Sequence, residues 1–234
     1  MGKNIQVILY RRHYIYRSQR NPHRSVWRII LLMNFIEVFD NTISSEDCKY
    51  IIDFMNTEGV LAPGMISREK GIVVDEDYKR SHEITMDLRG DVPKHLQSWN
   101  SYDLYDNINI LIGKTLLENT NHYVRIHPQL NSIGKWGVFE RYNLQKYYPD
   151  EGYYALHCEN SDPITSKRVL AWMFYLNTVK DGGTYFENYD ISMEAVEGRL
   201  VIWPAYWTHF HRGIVSKTET KYIATGWFSF VDNV

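Results

Sequence analysis

Two short stretches of this chain hold side chains that could share one reacting centre. In YYALHCEN, His157 and Glu159 stand two residues apart. An extended backbone turns residues i and i+2 to the same face, so this imidazole and carboxylate would enter one cavity together. The second stretch, Gly198 to Trp227, holds His211 and, ten residues further on, Lys221. A neighbouring strand that brought His211 to the same cavity would assemble two imidazoles and one carboxylate. Three such ligands on one face of an octahedral metal leave the other positions open, which suits Fe(II) and oxygen chemistry. Lys221 shares its strand face with Ile223, Thr225, Trp227 and Ser229. A lysine turned inward is costly unless it meets an anion, and a metal-bound dicarboxylate would supply one. His-x-Glu alone is a weak signal. The bland alternative makes His157 a satisfied buried histidine and Glu159 a rim carboxylate.

The elements that must position these groups are mostly strands. After Pro128 the chain runs through WGVFERYNLQKYY, a turn at Pro149–Gly152, and YYALHCE with Ala155, His157 and Glu159 on one face. RVLAWMFYLN is apolar on both sides and reads as a central buried strand. KDGGT reads as a hairpin turn, because Asp-Gly supports the φ > 0 backbone such turns need. TYFENYDISMEAV, GRLVIW, THFHRGIV and KYIATGWFSFV complete the series. About eight short strands with tight turns predict a mainly β fold, a double-stranded β-helix or jelly roll. Upstream, Ser44 can cap a helix with Asp47 three residues on, and Ile43 and Cys48 are spaced for a hydrophobic staple. Cys48, Ile51, Ile52 and Met55 form its apolar face. Residues 57–80 read mostly as loop, and SHEITMDL as a strand alternating Ile84, Met86 and Leu88. A second helix is expected over 101–118, with Leu104, Ile108, Leu111 and Thr115 inward. Both helices support the sheet.

At 234 residues, one domain over 33–234 is the natural reading, with helical support over 33–128 and the jelly-roll core over 129–234. An aromatic content of 15% favours strands. A formal net charge of −2 argues against nucleic acid or an anionic membrane as partner. Two cysteines, one of them inside the His-Cys-Glu motif, argue against a disulfide framework and favour a reducing compartment. No apolar run approaches the ~20 residues that span a bilayer. A soluble, intracellular, cytoplasmic protein is the expectation. Residues 1–32 differ: Lys3, Arg11, Arg12, Arg17, Arg20, Arg24 and Arg28 occur there without Asp or Glu. A targeting segment, a basic arm and an artefactual extension are three readings. The last is favoured, with the expectation that this segment packs poorly and can be deleted.

The combined pattern stands as His157-Cys158-Glu159, His211-Arg212-Gly213 and Lys221. Around it lie Tyr147, Arg168-Val-Leu, Tyr175-Leu176-Asn177, Asp181-Gly182-Gly183-Thr184, Gly198-Arg199-Leu200 and Trp227. It resembles the Fe(II)/2-oxoglutarate-dependent dioxygenases, specifically their prolyl 4-hydroxylase-like branch, over about Tyr142 to Phe230. The resemblance implies that His157, Glu159 and His211 bind Fe(II). It implies that Lys221 pairs with the distal carboxylate of 2-oxoglutarate and that the Tyr147 phenol hydrogen-bonds the same cosubstrate. O2 would be the oxidant and ascorbate the reductant. The reaction implied is hydroxylation of a C–H bond on a peptidyl residue such as proline. Glu159 departs from the family's Asp, and its presence argues against a halogenase. His209 competes with His211 as ligand; the spacing to Lys221 and the following Gly213 favour His211. Arg168, His209 and Trp227 are candidate substrate contacts. His13, His23, His82, His95, His122 and His127 show no pairing at ligand spacing. Alternatives are a jelly-roll binding protein without turnover, or an oxygenase acting on a small molecule or on nucleic acid. Lys221 counts against the last, because nucleic-acid demethylases usually hold the cosubstrate with arginine.

Overall fold

A computed structural model describes residues 13–17, 27–31, 33–57, 61–68, 71–89 and 99–231. The chain divides into two compact units, Met1–Phe35 and Ile36–Val234. In the first, β1 (His13–Arg17) and β2 (Trp27–Leu31) pair antiparallel, with His13 opposite Leu31. The rest of the basic extension lies outside the described residues, and so does the expectation that it packs poorly and can be deleted.

The second unit opens with β3 (Glu37–Phe39) and α1 (Ser45–Thr57). Ser44 Oγ accepts the Asp47 N–H at 3.1 Å and donates to the Asp47 carboxylate at 2.7 Å, which satisfies a first-turn amide. Ile43 and Cys48 are both buried, as a staple requires. Residues expected as loop hold β4 (Ala62–Pro63), β5 (Ile66–Arg68) and β6 (Gly71–Val73), after which comes β7 (His82–Met86). The second helix is longer than predicted: α2 runs Trp99–Ile126. Its buried stripe of Tyr105, Ile108, Ile112, Leu116 and Tyr123 continues past residue 118 at helical spacing. Leu104 and Leu111 flank that stripe half-buried. His127-Pro128 then ends the helix, since the residue before proline is pushed out of the α region.

Strands β8 (Trp136–Gly137), β9 (Tyr142–Tyr147), β10 (Arg168–Tyr175), β11 (Val179–Phe186), β12 (Ile191–Ala195), β13 (Arg199–Pro204), β14 (His211–Gly213) and β15 (Lys221–Phe230) complete the unit. They form two antiparallel sheets. The larger has the order β3-β13-β10-β15-β9-β7-β4, with β8 also on β15; the smaller is β12-β11-β14. The double-sheet jelly roll expected from the sequence is the observed fold. β10 is buried on both faces because it lies between two further layers. Trp172 and Phe174 pack with the helix residues Cys48, Ile51, Phe54 and Ile108. Ala171, Met173 and Tyr175 pack with Phe186, Met193 and Ala195 of the smaller sheet.

Three local expectations are corrected. YYALHCE is not a strand: residues 151–160 are irregular, and His157 makes one isolated bridge to His211. KDGGT is not a hairpin turn but lies within β11, where the register shifts between Val179 and Thr184 as in a β-bulge. Asp181 still adopts φ 58°, the left-handed conformation that Asp tolerates. THFHRG is not continuous either, because Trp207–His209 form a 3-10 turn before β14.

Candidate active site

Main-chain pairing brings the ligand candidates together. His157 N–H donates to His211 O at 3.0 Å, and His211 N–H returns to His157 O at 2.8 Å. Residues paired in this way project their side chains side by side, and the two imidazole centroids lie 4.4 Å apart. β14 is itself fixed by pairing with β11, His211 opposite Phe186. Glu159 is anchored separately: its N–H donates to Ala205 O at 3.0 Å, one residue beyond β13.

Both imidazoles are oriented by their inner nitrogens. His157 Nδ1 lies 3.0 Å from Ala155 O, and His211 Nδ1 lies 2.9 Å from His209 O. A carbonyl only accepts, so each Nδ1 carries a proton, and Nε2 is the nitrogen left to face a metal. The two Nε2 atoms converge on the same oxygen, Glu159 Oε1, at 3.4 and 3.3 Å. One ligand atom from each residue lies within 4.8 Å of the others. Tyr153 stacks flat on His157, with centroids 3.6 Å apart and planes 9° apart. Trp203 meets His211 edge-on at 5.2 Å. Burial, reinforced by the neighbouring His211, pushes the His157 imidazole down toward its neutral form. Burial also opposes the Glu159 anion, but its close contacts with the two histidines outweigh it and hold the carboxyl well below its usual range. Two imidazoles and one carboxylate, with inner nitrogens already committed, fit a divalent transition metal of the Fe(II) type.

The three residues border a cavity of about 640 Å³ that Tyr147, Lys221, Arg168 and Trp227 also line. Lys221 and Tyr147 are direct cross-strand partners on β15 and β9. Lys221 is 5% exposed, and its Nζ lies 3.3 Å from Ile214 O and 5.0 Å from the Tyr147 ring centre. Burial pushes its ammonium down to about 8. Tyr147 donates its phenol proton to Gln145 Oε1 at 2.7 Å, and burial raises its pKa well above the usual tyrosine range, so it stays a donor.

The substrate candidates separate. Arg168 and Trp227 border the cavity and also touch Glu159. Trp227 Nε1–H donates to Glu159 Oε2 at 2.7 Å, while Arg168 Nη1 lies 3.3 Å from Glu159 O and 3.8 Å from Oε2. His209 is buried but not among the residues that line the cavity. It belongs to the 3-10 turn, its Nδ1 lies 2.9 Å from Thr208 Oγ1, and its ring lies 5.1 Å from Tyr189. The i, i+2 rule fails for His209 and His211 because no strand connects them. His82 and His127 each meet a glutamate elsewhere, Glu151 and Glu37.

Sequence reasoning missed Lys79, Glu83 and Tyr153, which also line this cavity. Lys79 and Glu83 form a buried ion pair at 2.5 Å, and Ser81 Oγ donates to the same Glu83 oxygen at 2.7 Å. The signal for Glu83 was available: in SHEITMDL the apolar face is Ile84, Met86 and Leu88, so Glu83 and Thr85 must occupy the other face. Lys79 and Tyr153 gave no such signal, because an isolated bridge brings them together.

Residues 142–229 match the family model of the 2OG-Fe(II) oxygenase superfamily, a span that contains every residue of the candidate metal site together with Tyr147 and Lys221. No curated protein matches the chain at significant similarity. Among solved structures it resembles the viral collagen prolyl hydroxylase of Paramecium Bursaria Chlorella virus-1 in its 2OG complex. That likeness has 19% identity and a TM-score of 0.56, over 84% of this chain and 97% of the other. It also resembles the Trichoplax adhaerens prolyl hydroxylase in complex with a hypoxia inducible factor peptide fragment, with 13% identity, a TM-score of 0.60 and 84% of each chain covered. A Pseudomonas putida prolyl-4-hydroxylase matches with 13% identity and a TM-score of 0.51, over 85% of this chain and 94% of the other. The family match is a similarity to the 2OG-Fe(II) oxygenase superfamily over residues 142–229, and the likeness to the prolyl hydroxylases is one of fold.

Proposed function

We propose that this oxygenase hydroxylates a C–H bond of a peptidyl residue, with proline the first candidate, using His157, Glu159 and His211 to hold Fe(II). The observation that carries the reading is the convergence of two Nε2 atoms on one carboxylate oxygen at 3.4 and 3.3 Å, at the edge of a cavity that also contains a buried lysine. Iron bound there with 2-oxoglutarate and O2 would supply the oxidising power, releasing succinate and CO2. The chain's own residues do the rest. Lys221 pairs with the distal carboxylate of the cosubstrate, whose charge compensates for burying the ammonium. Tyr147 adds a phenol hydrogen bond at the same end. Tyr153 and Trp203 exclude water from the imidazoles, which strengthens the electrostatics of the site. Ascorbate would serve as the reductant that returns such an iron to its Fe(II) state. The cavity's volume, about 640 Å³, leaves room beside a five-carbon diacid for a substrate side chain. A peptide substrate is supported by the Trichoplax relative, which was solved with a peptide fragment. The free cysteines Cys48 and Cys158 support a reducing, cytoplasmic setting for a catalytic unit spanning residues 33–234.

The test uses protein purified without oxygen, then given Fe(II), 2-oxoglutarate, ascorbate and proline-containing peptides. Iron-dependent succinate formation is expected, with one oxygen added to the peptide by mass spectrometry. His211→Ala abolishes both. Failure of the iron-loaded protein to bind 2-oxoglutarate would overturn the assignment and leave a binding protein.

A further inference from the structure

Glu159 has one more methylene than the aspartate that its family usually employs, and hence one more rotatable bond. A free glutamate could turn either oxygen, or both, toward a metal, and two-oxygen binding would fill a position that an oxygenase keeps open. The surroundings of Oε2 bear on this. Trp227 Nε1, which can only donate, lies 2.7 Å from Oε2. Arg168 Nη1 approaches the same oxygen to 3.8 Å and donates to the Glu159 main-chain oxygen at 3.3 Å. The guanidinium lies over the Trp227 indole at 3.6 Å, so the two side chains hold each other in place. The other edge of Arg168 grips Glu140 Oε2 at 2.9 and 2.7 Å through Nε and Nη2, and Ser229 donates to Glu140 Oε1. The strands set this arrangement, with Ala171 opposite Trp227 and Arg168 opposite Ser229.

We infer that Trp227, braced by Arg168, is a positioning residue for Glu159: it holds Oε2 away from the two imidazoles, so the carboxylate offers the metal Oε1 alone. This rests on the proposed metal site, and it reassigns Trp227 and Arg168 from the substrate-contact role that the sequence suggested. The indole fixes which oxygen faces the histidines, and the stack with Arg168 fixes the indole. The longer side chain is what lets one carboxylate reach both the indole and the metal position. A shorter carboxylate would have to give up one of them.

Co(II) titration with a visible d–d spectrum tests this without turnover, because those bands report coordination number. The wild type is expected to bind one Co(II), and Trp227→Phe to bind it about 10–100-fold more weakly with a changed spectrum, as loss of an outer partner of a ligand does. In the Glu159→Asp background, Trp227→Phe is expected to change affinity by no more than about twofold, the limit for uncoupled sites. Equal losses in both backgrounds would show a merely structural role and overturn the inference, as would a Trp227→Phe spectrum identical to wild type. If Trp227→Phe does not fold, Arg168→Lys keeps the charge but loses the planar fork, and the same spectral change is expected; an unchanged spectrum overturns the inference. Absence of Co(II) binding in the wild type would overturn the metal-site reading itself, a distinguishable result.

Discussion

Lys221 shows most directly how burial and the proposed function are coupled in one side chain. Its ammonium is enclosed, and burial brings its pKa from the usual lysine range down to about 8. Because the folded value lies below the unfolded one, the unfolded chain binds more protons between about pH 8 and the ordinary lysine range. Stability of the ligand-free protein should therefore rise with pH across that window. 2-Oxoglutarate affinity should move the other way. Below about pH 8 the site presents a charged lysine, whereas above it binding must first take up a proton, weakening affinity by up to about tenfold per pH unit. Calorimetric titration at pH 7 and pH 9 measures this, and unchanged affinity with no proton uptake would exclude Lys221 as the carboxylate's partner. Lys221→Met should abolish cosubstrate binding, leave Co(II) binding intact and raise Tm, since an apolar side chain carries no desolvation cost there.

At the scale of elements, Gly183 lets β11 and β12 lie close together. A Cβ on Gly183 would lie 1.8 Å from Met193 O, a main-chain atom with little freedom to retreat. Gly183→Ala is expected to cost about 1–3 kcal/mol, as overpacking does, lowering Tm by about 2–4 °C per kcal/mol for a chain of this size. β11 also carries β14, so metal affinity should fall together with Tm. α1 provides a milder case: Ser44→Ala removes the acceptor for the Asp47 amide and should cost about 1 kcal/mol with no effect on metal binding. Thermal melts with and without Co(II) distinguish the two. α2 is tied to the sheet by polar contacts as well as apolar ones. Asn109 donates to Asp87 O at 3.0 Å and accepts the Tyr142 hydroxyl at 2.9 Å.

At the scale of the whole molecule, every described residue that lines the cavity lies in the second compact unit. A chain starting at Met33 is therefore expected to melt cooperatively and to bind Co(II) as the full chain does. A loss of either would show that the first unit contributes to the site. Among the described residues no helix is long and apolar enough to cross a membrane. The large sheet divides the unit into an apolar side, closed by α1 and α2, and a side facing the smaller sheet where the ionisable groups gather. That division keeps the charged side chains away from the main core, where each would need a partner.

Much of this was legible in residue order, because it depends on short-range periodicity and on residue type. Alternation placed Lys221 on the face of Thr225 and Trp227; two-sided apolarity marked β10 as central; Ser44 and Asp47 marked the start of α1. The identities of His157, Glu159, His211 and Lys221 were enough to suggest the chemistry. Folding decided the rest. His157 and Glu159 converge although no strand carries them, because their amides bond to His211 and Ala205, partners about fifty residues away that no local pattern can name. His209 is turned out of the cavity by a single 3-10 turn. Lys79, Glu83 and Tyr153 joined the cavity, and Trp227 and Arg168 met Glu159, through pairings between distant segments. Periodicity can tell which way a side chain points, but what it points at depends on which strand lies opposite and in which register.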